Sequence, residues 1–206
     1  MALRGDQLRE HILWKAKDVF LDLGFERVSM DLVAERAKTS KRSLYAHFES
    51  KEKLFLAVIE LVRGLFLTRL KQPGDYSEKP AEALVLFCGQ YLQTMLYGPS
   101  VQMCRISMAE SERFPEQSAM YFDVLFTQVH ARLSGYLKTT FRVSTTVSVE
   151  AAQKLIGQVL FPQFQRALFG LDPLAKNFDN DVLAPSIDLK RIRRAVAELV
   201  KGLAGN

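Results

Sequence analysis

Apolar residues recur three and four positions apart along nearly the whole chain, while strict alternation over the length of a strand is almost absent. A period of ~3.6 puts such positions on one face of an α-helix, so a chain patterned this way has helices to pack and little to build a sheet from. The spacing predicts an all-α fold. Leu8, Ile12, Ala16, Val19, Phe20 and Leu23 draw the first stripe, a helix over 7–23 that ends at Gly24, where a left-handed cap suits glycine. Ser29 and Ser40 stand where side-chain oxygens cap two short helices, the first carrying Leu32, Val33 and Ala37 and the second Leu44 and Phe48. Ser50 then caps a long helix whose inner face reads Leu54, Phe55, Val58, Ile59, Val62, Leu65 and Phe66.

Residues 71–80, with two prolines and a glycine among polar side chains, form the clearest break. Beyond it helical patterns run over about 81–97, 100–112, 115–141, 149–170 and 188–204. Val143–Val149 alternates and is β-branched, but a lone strand leaves its backbone unpaired, so an extended connector is expected there. Pro162 should kink the helix that contains it. The basic run Lys190–Arg194 reads as the solvated face of an amphipathic helix built on Ile192, Val196, Leu199 and Leu203.

Several function classes fall away. The apolar run Leu54–Ile59 meets Glu60 and Arg63 far short of the ~18 residues a membrane span requires, and no membrane partner is expected. The N-terminal stretch reaches charge at once without an apolar export segment, which points to the cytoplasm. Cys88 and Cys104 lack both zinc-site spacing and disulfide density and read as small buried hydrophobes. His11, His47 and His130 lie scattered over separate helices, and no glycine-rich phosphate loop is present, so neither an enzyme nor a metal or cofactor site is expected.

Charge shows where function concentrates. Between Arg36 and Lys53 six cations face two acids, placing +4 of the chain's +5 within eighteen residues. Two short helices across a tight turn, with that charge, fit a helix-turn-helix whose second helix enters the major groove. Thr39, Ser40, Lys41, Arg42 and Ser43 open that helix with chemistry that reaches phosphates or base edges, Arg42 being the best base reader. Tyr45 and His47 can donate to phosphate oxygens, and Lys51 adds a cation at the amide-rich start of the next helix.

The ordered string Phe20-x-x-x-Gly24-Phe25, Ser29-Met-Asp-x-Val-Ala-Glu-Arg-Ala37, Ser40-Lys-Arg-Ser-Leu-Tyr-Ala-His-Phe48 and Ser50-Lys-Glu-Lys-Leu-Phe55 resembles the DNA-binding region of TetR/AcrR-type bacterial transcriptional regulators over residues 8–60. The resemblance implies an N-terminal helix-turn-helix domain of three helices over 1–53 and a larger helical domain over 54–206 that binds a small-molecule effector and pairs through its last two helices into a homodimer. It implies a repressor of a palindromic double-stranded DNA operator, with phosphate contacts from Ser29, Tyr45, His47 and Lys51 and base reading from Thr39 through Ser43. Lys38 stands where that pattern commonly has glycine, and Arg42 where it often has a small residue. Glu110-Ser-Glu-Arg-Phe-Pro115 is similar to C-terminal domains of some members. Under this reading an effector tilts the helix that follows Ser50 and spoils the ~34 Å spacing of the two reading heads.

The C-terminal half is less explicit. Met95, Met103, Met108 and Met120, with Phe87, Tyr91, Phe114, Tyr121, Phe122 and Phe126, offer adaptable apolar surface for an effector cavity, and Gln158, Tyr91, Arg105 and His130 could orient a ligand. Each also fits an ordinary core or surface role. The alternative function is a helical ligand carrier or interaction module that shows no sequence preference on DNA.

Overall fold

Ile12, Ala16, Val19 and Phe20 bury the first apolar stripe from one helix, α1, spanning Asp6–Arg27. The computed structural model describes residues 5–179 and 182–204, and among them there are helices and turns but no strand, only an isolated bridge between Tyr97 and Ala175. Gly24 interrupts α1 at φ 76° and ψ 168°, a backbone region essentially closed to residues with a Cβ. The break falls at the expected glycine, but the helix resumes to Arg27 and buries Phe25.

Three short connections then set the next helices: α2 (Met30–Arg36), α3 (Lys41–His47) and α4 (Lys51–Arg69). Their first turns are closed by serine side chains, which accept the orphan amides that begin a helix: Ser29 Oγ from Leu32 N at 3.2 Å, Ser40 Oγ from Ser43 N at 3.0 Å and Ser50 Oγ from Lys53 N at 3.2 Å. Downstream lie α5 (Pro80–Leu96), α6 (Gly98–Ala109), α7 (Pro115–Phe122), α8 (Gln128–Phe141), α9 (Thr145–Leu160), α10 (Gln163–Leu168) and α11 (Leu189–Ala204). A π-turn over Asp123–Thr127 joins α7 to α8 without leaving the helical path. Among the described residues no helix is long and apolar enough to cross a membrane.

The chain divides into two compact units, one of residues 1–65 and 102–121, the other of 66–101 and 122–206. In the first, α1, α2 and α3 pack together around Ile12, Phe20, Val33 and Leu44, and Leu54, Phe55 and Val58 of α4 are fully buried. Phe114, from the loop before α7, closes the aromatic part of this core, 5.1 Å from Phe25 and 5.4 Å from Phe55 between ring centroids. In the second unit α8 runs along α9, and α11 packs on both α5 and α9. Arg193 on α11 makes a two-toothed bond to Glu82 on α5, at 2.5 and 2.9 Å, and that bond holds the Glu82 carboxyl below the usual carboxylate range. Ile192, Val196 and Leu203 of α11 are buried while Lys190, Arg193 and Arg194 are exposed, the outer helix face that the spacing predicts, but Arg191 departs from it, half-buried and donating to Val159 O at 2.6 Å and Phe161 O at 2.7 Å.

Two expectations are corrected. Val143–Val149 is not an extended connector: Ser144 accepts from Val147 N at 3.2 Å, α9 starts at Thr145, and Ser148 is buried. The cap and the 3.6-residue burial pattern outweigh the β-branched side chains, whose helix penalty is only a few tenths of a kcal/mol each. Nor does Pro162 merely kink a helix over 149–170; α9 ends at Leu160 and α10 starts at Gln163, with the proline, which has no amide to donate, at the break. Cys88 and Cys104 are buried as expected, and burial pushes both thiols up to about 12.

Candidate nucleic-acid interface

A seven-residue helix has room for little more than one buried contact if its remaining positions are to stay available. α3 has that arrangement: Leu44 is its buried residue, with Ser43 and His47 half-buried at its flanks and Lys41, Arg42, Tyr45 and Ala46 exposed. Tyr45 is 49% exposed. Lys41 and Tyr45 are four residues apart and share one side of the helix. Ser40 is exposed and its hydroxyl lies 2.9 Å from that of Ser43, so both are engaged in the cap while facing outward; Thr39 is half-buried. Ser29 is exposed at the start of α2.

The turn into α3 is made by Lys38 at φ 50°, a left-handed conformation that glycine takes more cheaply. Backbone bonds from Lys38 N to Glu35 O and from Thr39 N to Ala34 O, each 3.0 Å, fix this turn. His11 anchors it from α1, with Nε2 3.1 Å from Ala37 O; the carbonyl can only accept, so this bond requires the Nε2–H form.

Two of the cations are engaged within the protein. Lys41 Nζ lies 2.6 Å from Asp31 Oδ2, with both side chains more than half exposed, a pairing of at most ~1 kcal/mol that a phosphate can replace. Lys51 donates to Phe25 O at 3.0 Å and Glu26 O at 3.3 Å, and its ammonium sits 4.3 Å from the centroid of the Phe25 ring. It therefore satisfies the last carbonyls of α1, a role the sequence reading did not foresee. Lysine has three N–H groups, so this leaves one for an outside acceptor.

Sequence reasoning also missed Arg113. It donates to Glu26 at 2.7 Å and Glu52 at 3.3 Å, and its guanidinium lies 4.5 Å from the Phe25 ring on α1 and 5.6 Å from Phe114. The Glu52 carboxyl is held below the usual carboxylate range, first by a hydrogen bond to its own backbone N–H, then by the Ser50 hydroxyl, with Arg113 and Lys51 adding to both. The motif Glu110–Pro115 was visible in the chain, but no local pattern says that it meets residues 61 and 87 positions away.

The residues expected to line an effector cavity separate. Phe87, Tyr91 and Met95 are fully buried along α5 in the second unit, where Tyr91 donates its hydroxyl to Leu125 O at 2.9 Å within the π-turn. Met103 and Tyr121 are buried in the first unit, as is Phe114, which packs on Phe25 and Phe55, while Met108 and Met120 there are exposed. Phe126 is half-buried, its ring 4.8 Å from that of Phe122, whereas Phe122 itself and Gln158 are exposed. Arg105 is half-buried, as is His130, whose Nδ1 lies 2.7 Å from Phe126 O.

A family model described as bacterial regulatory proteins of the tetR family matches residues 12–58, and one described as the C-terminal domain of AefR-like transcriptional repressors matches residues 82–191. The HTH-type transcriptional activator FasR of Mycolicibacterium smegmatis is 46% identical over 58 residues, 28% of this chain and 26% of FasR. The chain spans between 26% and 60% of the length of the curated relatives it matches. Among solved structures, the flavonoid-responsive regulator FrrA superposes with a TM-score of 0.69 at 26% identity, covering 98% of this chain and 97% of FrrA. A TetR-family regulator from Mesorhizobium loti superposes with a TM-score of 0.75, covering 98% of each chain, and at 19% identity it speaks for the fold alone.

Proposed function

The chain belongs to the TetR family of bacterial regulatory proteins, a DNA-binding transcriptional regulator rather than an enzyme, and from that premise we propose that it is a repressor that grips a palindromic operator as a homodimer and lets go when a small molecule binds. The observation that carries the reading is the surface of α3: one buried leucine, and Lys41, Arg42 and Tyr45 turned outward at the centre of the +4 stretch. Arg42 reads a base edge, since a guanidinium matches the two acceptors of guanine. Thr39, Ser40, Lys41 and Ser43 work beside it at the start of the helix. Ser29, Tyr45, His47 and Lys51 hold phosphates and fix the register. Residues 1–53 form the reading domain and 54–206 the effector and dimer domain.

Pairing with a second copy is supported by surface around the last helices. Phe161, Phe169 and Leu171 are 64%, 82% and 63% exposed, and α9 turns Val149, Gln153 and Gly157 outward. Apolar side chains that open to water beside a helix pair are what a two-fold bundle would cover. Release by a small molecule is supported by the name of FrrA, a flavonoid-responsive regulator, and repression by the description of the matching C-terminal domain. Phe87, Tyr91, Met95, Met103, Tyr121, Phe122, Phe126 and Gln158 are the residues proposed to meet the effector. The place of action is the cytoplasm, where the DNA is.

In vitro selection of duplexes bound by the full chain tests the reading. The expected result is an inverted repeat with half-sites about one helical turn, ~34 Å, or a multiple of it apart. Binding without enrichment of any motif overturns it in favour of a helical carrier that has no operator.

A further inference from the structure

The start of α4 is the site proposed above to hold a phosphate, yet two carboxylates flank it. Glu26 lies in the last turn of α1 and Glu52 in the first turn of α4, while Lys51 is tied to Phe25 O and Glu26 O. Unpaired, those carboxylates would repel a phosphate at the distances where the helix amides attract it. Both are instead bonded to one guanidinium, that of Arg113, which reaches them at 2.7 and 3.3 Å from the loop between α6 and α7.

A ring contact also holds the guanidinium there, apart from the two carboxylates. The guanidinium lies 4.5 Å from the centroid of the Phe25 ring, where Lys51 also sits at 4.3 Å, and the neighbouring Phe114 is locked among Phe25 and Phe55. An arginine in this position stacks on a ring and bonds carboxylates with the same flat group, which lysine cannot do. All of these residues belong to the first compact unit.

We infer that Arg113, far beyond the reading helix in the chain, is a positioning residue for DNA binding: it neutralises Glu26 and Glu52 and so makes the start of α4 acceptable to a phosphate. It touches no DNA itself. The inference rests on the reading above, since it needs a phosphate at the start of α4.

The test is a charge-rescue cycle on the full chain, measured by binding to a selected duplex and to a random duplex at several salt concentrations. Arg113→Gln should weaken both by roughly tenfold at low salt, and the deficit should shrink as salt rises, because exposed repulsion is screened over a Debye length of ~10 Å at 0.1 M. Adding Glu26→Gln and Glu52→Gln to Arg113→Gln should restore affinity to within about threefold of the unmodified chain, since no carboxylate then remains to repel the phosphate. The two glutamine changes alone, with Arg113 present, should not weaken binding. A merely structural arginine predicts the opposite, with each further substitution adding to the loss. Thermal melting of every variant separates lost folding from lost affinity. Failure of rescue in a triple variant that melts like the unmodified chain overturns the inference, as does an Arg113→Gln variant that binds normally. If the unmodified chain binds no duplex at low salt, the DNA-binding reading fails and the inference goes with it.

Discussion

α3 and α5 spend their residues in opposite ways. α3 buries Leu44 and leaves most of its surface to solvent, whereas α5 buries twelve of its seventeen residues, from Ala83 to Met95. A helix that owes the core one contact can vary nearly everything else to suit a ligand, and its chemistry can be read from its letters. A helix enclosed on several sides has its letters dictated by neighbours. Phe87, Tyr91 and Met95 on α5 are equally at home packed or lining a cavity, so their identities alone carry little functional information.

The sharpest way to break this contrast is to truncate a residue on each helix. Phe87→Ala should cost ~3–5 kcal/mol of folding stability, read as a shift of the denaturant midpoint; a cost below ~1 kcal/mol would mean that α5 is loosely packed and already shaped around a void. Arg42→Ala should leave the melting curve in place and remove ~1–3 kcal/mol of discrimination at one base position, read by repeating the selection; an unchanged motif would strip α3 of its base reader. Lys51→Ala sits between the two classes. It should weaken binding to all duplexes and flatten the salt dependence by about one counterion per half-site, while the loss of its bonds to Phe25 O and Glu26 O costs ~1 kcal/mol of stability. The smallest effect is expected at the turn: Lys38→Gly should stabilise the fold by at most ~1 kcal/mol by relieving the left-handed backbone, and a destabilisation would show that the lysine side chain holds the turn.

What could be read in advance follows the same division. Ser29, Ser40 and Ser50 announce three helix starts because a cap is a bond across three residues, complete within the local string. The exposed chemistry of α3 was legible for the same reason. The start of α9 was not, because Val143–Val149 has the letters of a strand and only the Ser144 cap and the burial of Ser148 decide for a helix. Arg113 was illegible in a stronger sense and Phe114, expected at an effector cavity, packs elsewhere, since their partners Glu26, Glu52, Phe25 and Phe55 lie far away along the chain. The eight residues proposed for the effector fall between these cases: buried aromatic and methionine side chains were expected, but Phe122 and Gln158 face solvent and the others divide between two units.

Phe114 has a bearing on how the molecule is made. Protein synthesis delivers Phe25 and Phe55 early, and the ring that completes their packing leaves the ribosome only after α5 and α6 have followed. During that interval the nascent reading head presents an aromatic face without its cover. The unit that carries the reading helix is therefore complete late in translation rather than first.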